Sequence, residues 1–158
     1  MSPFADIACE VFKFLETEYG FSVEKCTESN GSSHVLYKNT DNGVAVKITY
    51  EFSSAFVFIF VYRLVHGELR ENSQPISDDS EIFCIDFNDV IPANHKMKPA
   101  YECQEDSLFF DEQNGLRNYV SEFSARLKRF GGPVLRGDFT EFAQAEKIIR
   151  QRARKLRE

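Results

Sequence analysis

The chain has 158 residues, a formal net charge of −6, 42% hydrophobic and 28% charged side chains, with 16 Phe, 6 Tyr and no Trp. This is one ordinary domain's length and a globular composition, which excludes a disordered chain, a collagen-like repeat and a Cys-rich secreted scaffold. A single domain over residues 1–158 is expected, its core filled mainly by phenylalanine.

Ser2-Pro3 reads as a helix cap followed by proline at the first helical position, where the missing N–H costs nothing. Phe4, Ile7, Ala8, Val11, Phe14 and Leu15 then recur at helical spacing up to Gly20, predicting one helix over 3–19. From Phe21 the period changes to two, with Phe21, Val23 and Lys25 alternating against Ser22, Glu24 and Cys26, until Ser29-Asn30-Gly31-Ser32 signals a turn. Residues 35–38 predict a second strand, Asn42-Gly43 a hairpin turn, and residues 44–52 a third strand. In the third strand Val44, Val46, Ile48, Tyr50 and Phe52 share a buried face, and Lys47, Thr49 and Glu51 a wet one. Residues 55–65 predict a fourth strand with Phe56, Phe58, Phe60 and Tyr62 on one face and Val57, Ile59 and Val61 on the other. It is expected to be central and covered on both sides.

Residues 67–81 are polar and turn-rich and read as a loop, followed by a fifth strand within 82–87 and a short helical turn and loop over 88–99. Leu116, Tyr119, Val120, Phe123, Leu127 and Phe130 form the stripe of a helix that Gly131-Gly132-Pro133 ends. A last helix is predicted from Asp138, capped by that aspartate with Glu141 reaching back as in a capping box. Phe139, Phe142, Ala145, Ile149, Ala153 and Leu156 are its inner stripe, with Arg150, Arg154 and Arg157 outside. The expected architecture is α+β: an N-terminal helix, an antiparallel sheet of four to five strands, and two C-terminal helices packed on the sheet.

Charge is unevenly distributed. Residues 68–112 hold twelve acidic side chains against Arg70, Lys96 and Lys98, whereas residues 147–158 hold six basic ones against Glu158. Such asymmetry suits a charged partner and equally a solvated surface. A nucleic-acid partner for the basic tail is not expected, because the rest of the chain is acidic and repels phosphate.

The opening MSPFADIACEVF has acidic residues among its apolar ones and no early basic residue, so no secretory leader and a cytoplasmic location are expected. The longest apolar run, residues 55–62, is far short of the roughly 20 needed to cross a bilayer, and no membrane partner is expected. Cys9, Cys26, Cys84 and Cys103 lack metal-ligand spacing and read as ordinary thiols. His34, His66 and His95 fall on separate elements and read as structural or surface residues. Asp78-Asp79 and Asp86 with Asp89 lack the pattern of a calcium loop, so no metal is expected. No nucleophile, nucleotide or phosphate-loop motif occurs, and no cofactor is expected.

The stretches FLETEYGF at 14–21, VLYKN at 35–39, VAVKITYEFSS at 44–54 and LRGDFTEF at 135–142 resemble small, uncharacterised bacterial cytosolic proteins, some of them similar to immunity proteins of polymorphic toxin systems. The resemblance rests on fold-building residues, so no functional residue carries over. Together these readings predict a non-enzymatic protein-binding module, of immunity type, that neutralises a basic partner such as a toxin or nuclease. Its predicted contact residues are Asp78, Asp79, Glu81, Asp86, Asp89, Glu105 and Asp106. The alternatives are a small-ligand binder or enzyme with an apolar pocket between sheet and helices, and a homodimer formed through the fourth strand's apolar outer face.

Overall fold

The computed structural model describes residues 3–103, 109 and 113–158, so the Ser2 cap lies outside the described residues. Strands β1 (Ser22–Glu28), β2 (Ser32–Asn39), β3 (Val44–Glu51), β4 (Phe56–Arg63) and β5 (Cys84–Asp86) pair antiparallel in chain order. Helices α1 (Pro3–Val11), α2 (Phe14–Thr17), α3 (Gly115–Phe130), α4 (Gly132–Leu135) and α5 (Thr140–Arg157) complete an α+β fold. One face of the sheet, with Val35, Tyr37, Val44, Val46, Ile48, Val57, Ile59 and Val61, packs in a single core with residues of all five helices. The opposite face carries a smaller cluster, Leu36, Ala45, Tyr62 and Cys84, with Phe60, Leu64 and Leu69 against it. No described helix contributes to that second cluster.

The predicted first helix is broken at Phe12-Lys13. Phe12 and Phe14 stand about 200° apart on a continuous helix, yet both are buried, with Leu15 beside them. The break resolves this conflict. The Val11 carbonyl accepts from the buried Ser124 hydroxyl of α3 at 2.6 Å, and the Leu15 N–H turns to Phe12 instead at 3.0 Å.

β1 is an edge strand exposed along its whole length, with an irregularity between Val23 and Lys25; the predicted alternation buries only the preceding Phe21. Bulges and charges are the usual protection of such an edge. β4 lies between β3 and the short β5, one place from the sheet's centre, and its Phe56, Phe58 and Phe60 are only half-buried. β3's second face is not wet: Ala45 and Thr49 are buried and Lys47 half-buried, whereas Phe52 is exposed. At the other edge, Asn72 imitates a strand. Its side chain accepts from the Phe83 and Cys84 N–H groups at 2.7 and 3.0 Å and donates to the Cys84 carbonyl at 2.8 Å.

Gly131 ends α3 as expected, with its N–H on the Leu127 carbonyl. The following residues then form the unpredicted turn α4, with Pro133 near its start. Gly137 adopts φ 92°, and a Cβ there would lie 2.7 Å from the Asn42 carbonyl oxygen. The predicted capping box does not form. Asp138 Oδ1 accepts from the Thr140 N–H at 3.0 Å, moving the helix start to Thr140, while Glu141 Oε2 is buried without a hydrogen-bond partner. The predicted inner stripe is buried only at Phe142 and Ala145, and Leu156 is 88% exposed. No described helix is long and apolar enough to cross a membrane.

Candidate partner-binding surfaces

Of the predicted acidic contact residues that are described, two are engaged by α5. Asp89 is buried, and both its oxygens accept from Arg152 of α5, at 2.6 and 2.9 Å. Asp78 accepts from Arg154 Nε at 3.0 Å, with Arg157 at 3.7 Å. Around it, Arg150 donates to the carbonyls of Ser77, Asp78 and Ser80 at 3.0, 3.0 and 2.7 Å, and Arg157 to that of Ile76 at 2.6 Å. The arginines predicted to face outward therefore clamp the acidic loop to the helix. This places cations near the negative end of α5 and satisfies loop carbonyls in the same contacts.

Asp86 ends β5, half-buried, and accepts from the Asn88 N–H at 2.9 Å. Burial pushes its carboxyl up to about 6, a rise that the Asn88 bond partly offsets and Asp89 reinforces. Asp79 and Glu81 are exposed and form no ion pair among the described residues. Glu105 and Asp106 lie outside the described residues.

The face of the sheet away from the helices has a different chemistry. Register places Lys25, Leu36, Lys47 and Phe60 in one cross-strand row, and Thr27, His34, Thr49 and Phe58 in the next. Along β4, Phe56 meets Phe58 edge-on with ring centroids 4.8 Å apart, and Phe58 stacks on Phe60 at 5.6 Å. The Lys47 ammonium lies 5.5 Å from the Phe60 ring centroid and 5.6 Å from that of Tyr62, and 3.6 Å from Glu71. Tyr62 donates to the same Glu71 carboxylate at 2.9 Å. His34 bonds to Thr49 through Nδ1 at 2.8 Å and to Ser32 through Nε2 at 2.9 Å. Burial, and then the charge of Lys47, hold its imidazole below the usual histidine range.

Two shallow depressions flank Lys47. One, of about 190 Å³, is lined by Lys25, Thr27, His34, Leu36 and Lys47; the other, of about 210 Å³, by Lys47, Phe60, Tyr62, Glu71, Asn72, Gln74 and Cys84. A wider apolar groove of about 380 Å³ runs between Pro75-Ile76 and the Ile149, Ala153 and Leu156 side of α5. Between sheet and helices, by contrast, the space bounded by Val57, Ile59, Phe87, Ile91 and Phe123 is about 10 Å³, no more than a water's room. The interior pocket expected as an alternative does not open there.

The three histidines stay apart: His34 is on β2, His66 sits in a turn at φ 52°, and the His95 ring packs on Phe130 at 5.2 Å. Among the described residues no three His, Cys, Asp or Glu side chains are grouped to hold a metal ion. All four cysteines are free, and burial raises the thiol of Cys84 well above the usual range.

The sequence pattern marks none of Lys25, His34 and Lys47 as a site: Lys25 falls in phase with Phe21 and Val23, His34 reads as a structural or surface residue just before the second predicted strand, and Lys47 falls on a wet strand face. The available signal was the antiparallel register, which brings their positions onto one face. Comparison with protein-family models, curated proteins and solved structures finds no match.

Proposed function

We propose that the chain is a non-enzymatic protein-binding module that docks a partner protein on the open face of its sheet. The observation that carries this reading is the pair Phe58 and Phe60, two stacked half-buried rings on the sheet face opposite the helices, continued by Phe56, whose ring also meets Phe123 of α3 edge-on at 5.6 Å. A continuous apolar strip bordered by polar residues is the usual mark of a contact surface, and aromatic anchors dominate interface centres. Phe58 is engaged by Phe56 and by Phe60, an arrangement that suits burial beneath a protein surface better than stacking of nucleic-acid bases.

A second reading keeps the basic partner, a toxin or nuclease neutralised in the manner of an immunity protein. The exposed carboxylates of Asp79 and Glu81, without an ion pair among the described residues, favour it, since complementary charge speeds encounter and fixes orientation.

The two are separated by passing one nuclease-treated lysate over tagged wild type, Phe58→Lys, and Asp79→Lys/Glu81→Lys. A protein held by wild type and the acidic-loop variant but lost from Phe58→Lys supports the sheet face. Loss from the acidic-loop variant alone transfers the contact to the loop. Retention by all three overturns both readings. Light scattering that shows a dimer dispersed by Phe58→Lys assigns the face to self-association instead.

A further inference from the structure

The geometry points to an oxyanion-binding site on the open sheet face, formed by Lys25, Thr27, His34 and Lys47 around Leu36, whose ligand is a carboxylate group presented by the docking partner. This deepens the sheet-face reading and rests on it for the partner's identity, although the site itself can be tested alone.

Three observations lead to it. First, the depression of about 190 Å³ is lined by Lys25, His34 and Lys47, with Thr27 and Leu36, and by no acidic side chain. This is notable in a chain whose net charge is −6. Second, the register explains the convergence. Lys25 and Lys47 are both paired with Leu36, one from each side, so their backbones stand two strand spacings apart, about 10 Å. Two flexible four-carbon stems from that separation reach a common point above Leu36, with the hydroxyl of Thr27 and the imidazole of His34 from the neighbouring row beside it. Third, Lys25 has no acidic partner among the described residues, whereas Lys47 beside it is offset by Glu71 at 3.6 Å. An anion at Lys25 supplies the missing counter-charge.

The choice of carboxylate follows from the local charge. Lys47 is offset by Glu71 at 3.6 Å, and His34 is held neutral, so the surroundings leave one net positive charge, that of Lys25. A singly charged carboxylate neutralises it, whereas a phosphate dianion leaves an excess negative charge beside Glu71. Lysine binds an oxyanion as a point charge, without the planar fork of arginine, so charge rather than shape makes this discrimination. His34 is set to respond: its nitrogens face the hydroxyls of Ser32 and Thr49, with Lys47, Lys25 and Thr27 around it, and a bound anion favours the imidazolium.

The test is a titration of the full chain with sodium acetate, against sodium chloride at matched ionic strength, followed by NMR at the His34 ring and the Lys25 and Leu36 amides. The expected result is saturable shifts at these positions with acetate, a rise in the His34 titration midpoint, and at least tenfold weaker binding in Lys25→Gln and Lys47→Gln. Lys25 is exposed, so Lys25→Gln keeps the fold and leaves the test intact even where Lys47→Gln disturbs Phe60. Inorganic phosphate run in parallel is expected to bind more weakly than acetate. Tighter phosphate binding overturns the carboxylate assignment. Shifts that do not saturate, or that persist unchanged in Lys25→Gln, overturn the site. Either failure leaves sheet-face docking to be judged separately by Phe58→Lys, while loss of capture in Phe58→Lys but not in Lys25→Gln/Lys47→Gln removes the partner's carboxylate from the site.

Discussion

Arg152 and Arg154 lie two residues apart on α5, each bonded to an aspartate, and are expected to differ several-fold in their contribution to stability. The Arg152–Asp89 pair joins a guanidinium that is 60% exposed to a carboxylate that is 6% exposed, whereas the members of the Arg154–Asp78 pair are 54% and 61% exposed. Arg152→Gln leaves the Asp89 carboxylate buried without its bidentate partner. Breaking a fully buried pair costs about 3–5 kcal/mol. Because the Arg152 end is wet and water replaces part of what is lost, about 2 kcal/mol is the expected cost. Arg154→Gln removes a solvent-screened contact and is expected to cost about 0.5 kcal/mol or less.

At about 2–4 °C per kcal/mol for a chain of this size, Arg152→Gln lowers Tm by about 4–8 °C and Arg154→Gln by no more than about 2 °C. With no Trp in the chain, urea unfolding followed by far-ultraviolet circular dichroism is the assay, and the comparison holds where m is unchanged. In 1 M salt the small effect of Arg154→Gln shrinks further, while that of Arg152→Gln largely persists. Asp89→Asn combined with Arg152→Gln is expected to cost clearly less than the two single changes added. Unfolding midpoints for Arg152→Gln and Arg154→Gln that agree within about 0.5 kcal/mol would refute the argument that the buried carboxylate sets the difference.

The Asp86 carboxyl, raised by burial from 3.8 to about 6, binds a proton more tightly folded than unfolded. Its favourable contribution is thus complete below about pH 4 and lost as pH rises to about 6; Asp86→Asn, which retains an acceptor for the Asn88 N–H, is expected to flatten that stretch of the stability profile and add about 2 kcal/mol at pH 7. Gly137→Ala, with φ 92° and a Cβ 2.7 Å from the Asn42 oxygen, should cost about 3 kcal/mol in urea unfolding, against about 1 kcal/mol for Gly43→Ala at φ 70° in open space. In thiol labelling of the native chain, exposed Cys26 should react readily and Cys84, buried with a raised pKa, only on unfolding; labelling at equal rates would contradict that ordering. Ser124→Ala, which frees the Val11 carbonyl, is expected to lower stability by about 1–2 kcal/mol.

Most of the fold was legible because it is written in local periodicity. The α3 stripe from Leu116 to Phe130, the Asn42-Gly43 hairpin and the alternation of β3 and β4 each need only neighbouring residues to be read. What escaped depended on contacts across the chain. The break after Val11 answers to Ser124, 113 positions away. β5 is completed by Asn72, a residue inside a segment whose composition says only loop. The start of α5 moved because Asp138 found a closer donor in Thr140 than the capping box offered.

Two of the acidic residues expected at a contact are engaged within the fold for the same reason. Counted along the sequence, the acidic segment and the basic tail look like two surfaces awaiting partners, but Asp78 and Asp89 meet Arg154 and Arg152 across 76 and 63 positions. Those two carboxylates find their counter-charges within the fold, whereas Asp79 and Glu81 stay exposed. A run of like charge thus points to a partner only through those members that no opposite run folds against. A further charge without a counterpart among the described residues, that of Lys25, lies inside a predicted strand, and only the sheet register brings it beside His34 and Lys47. On the proposed reading an acidic group of the partner meets Lys25 beside the phenylalanine row, while the exposed Asp79 and Glu81 stay open to a basic one.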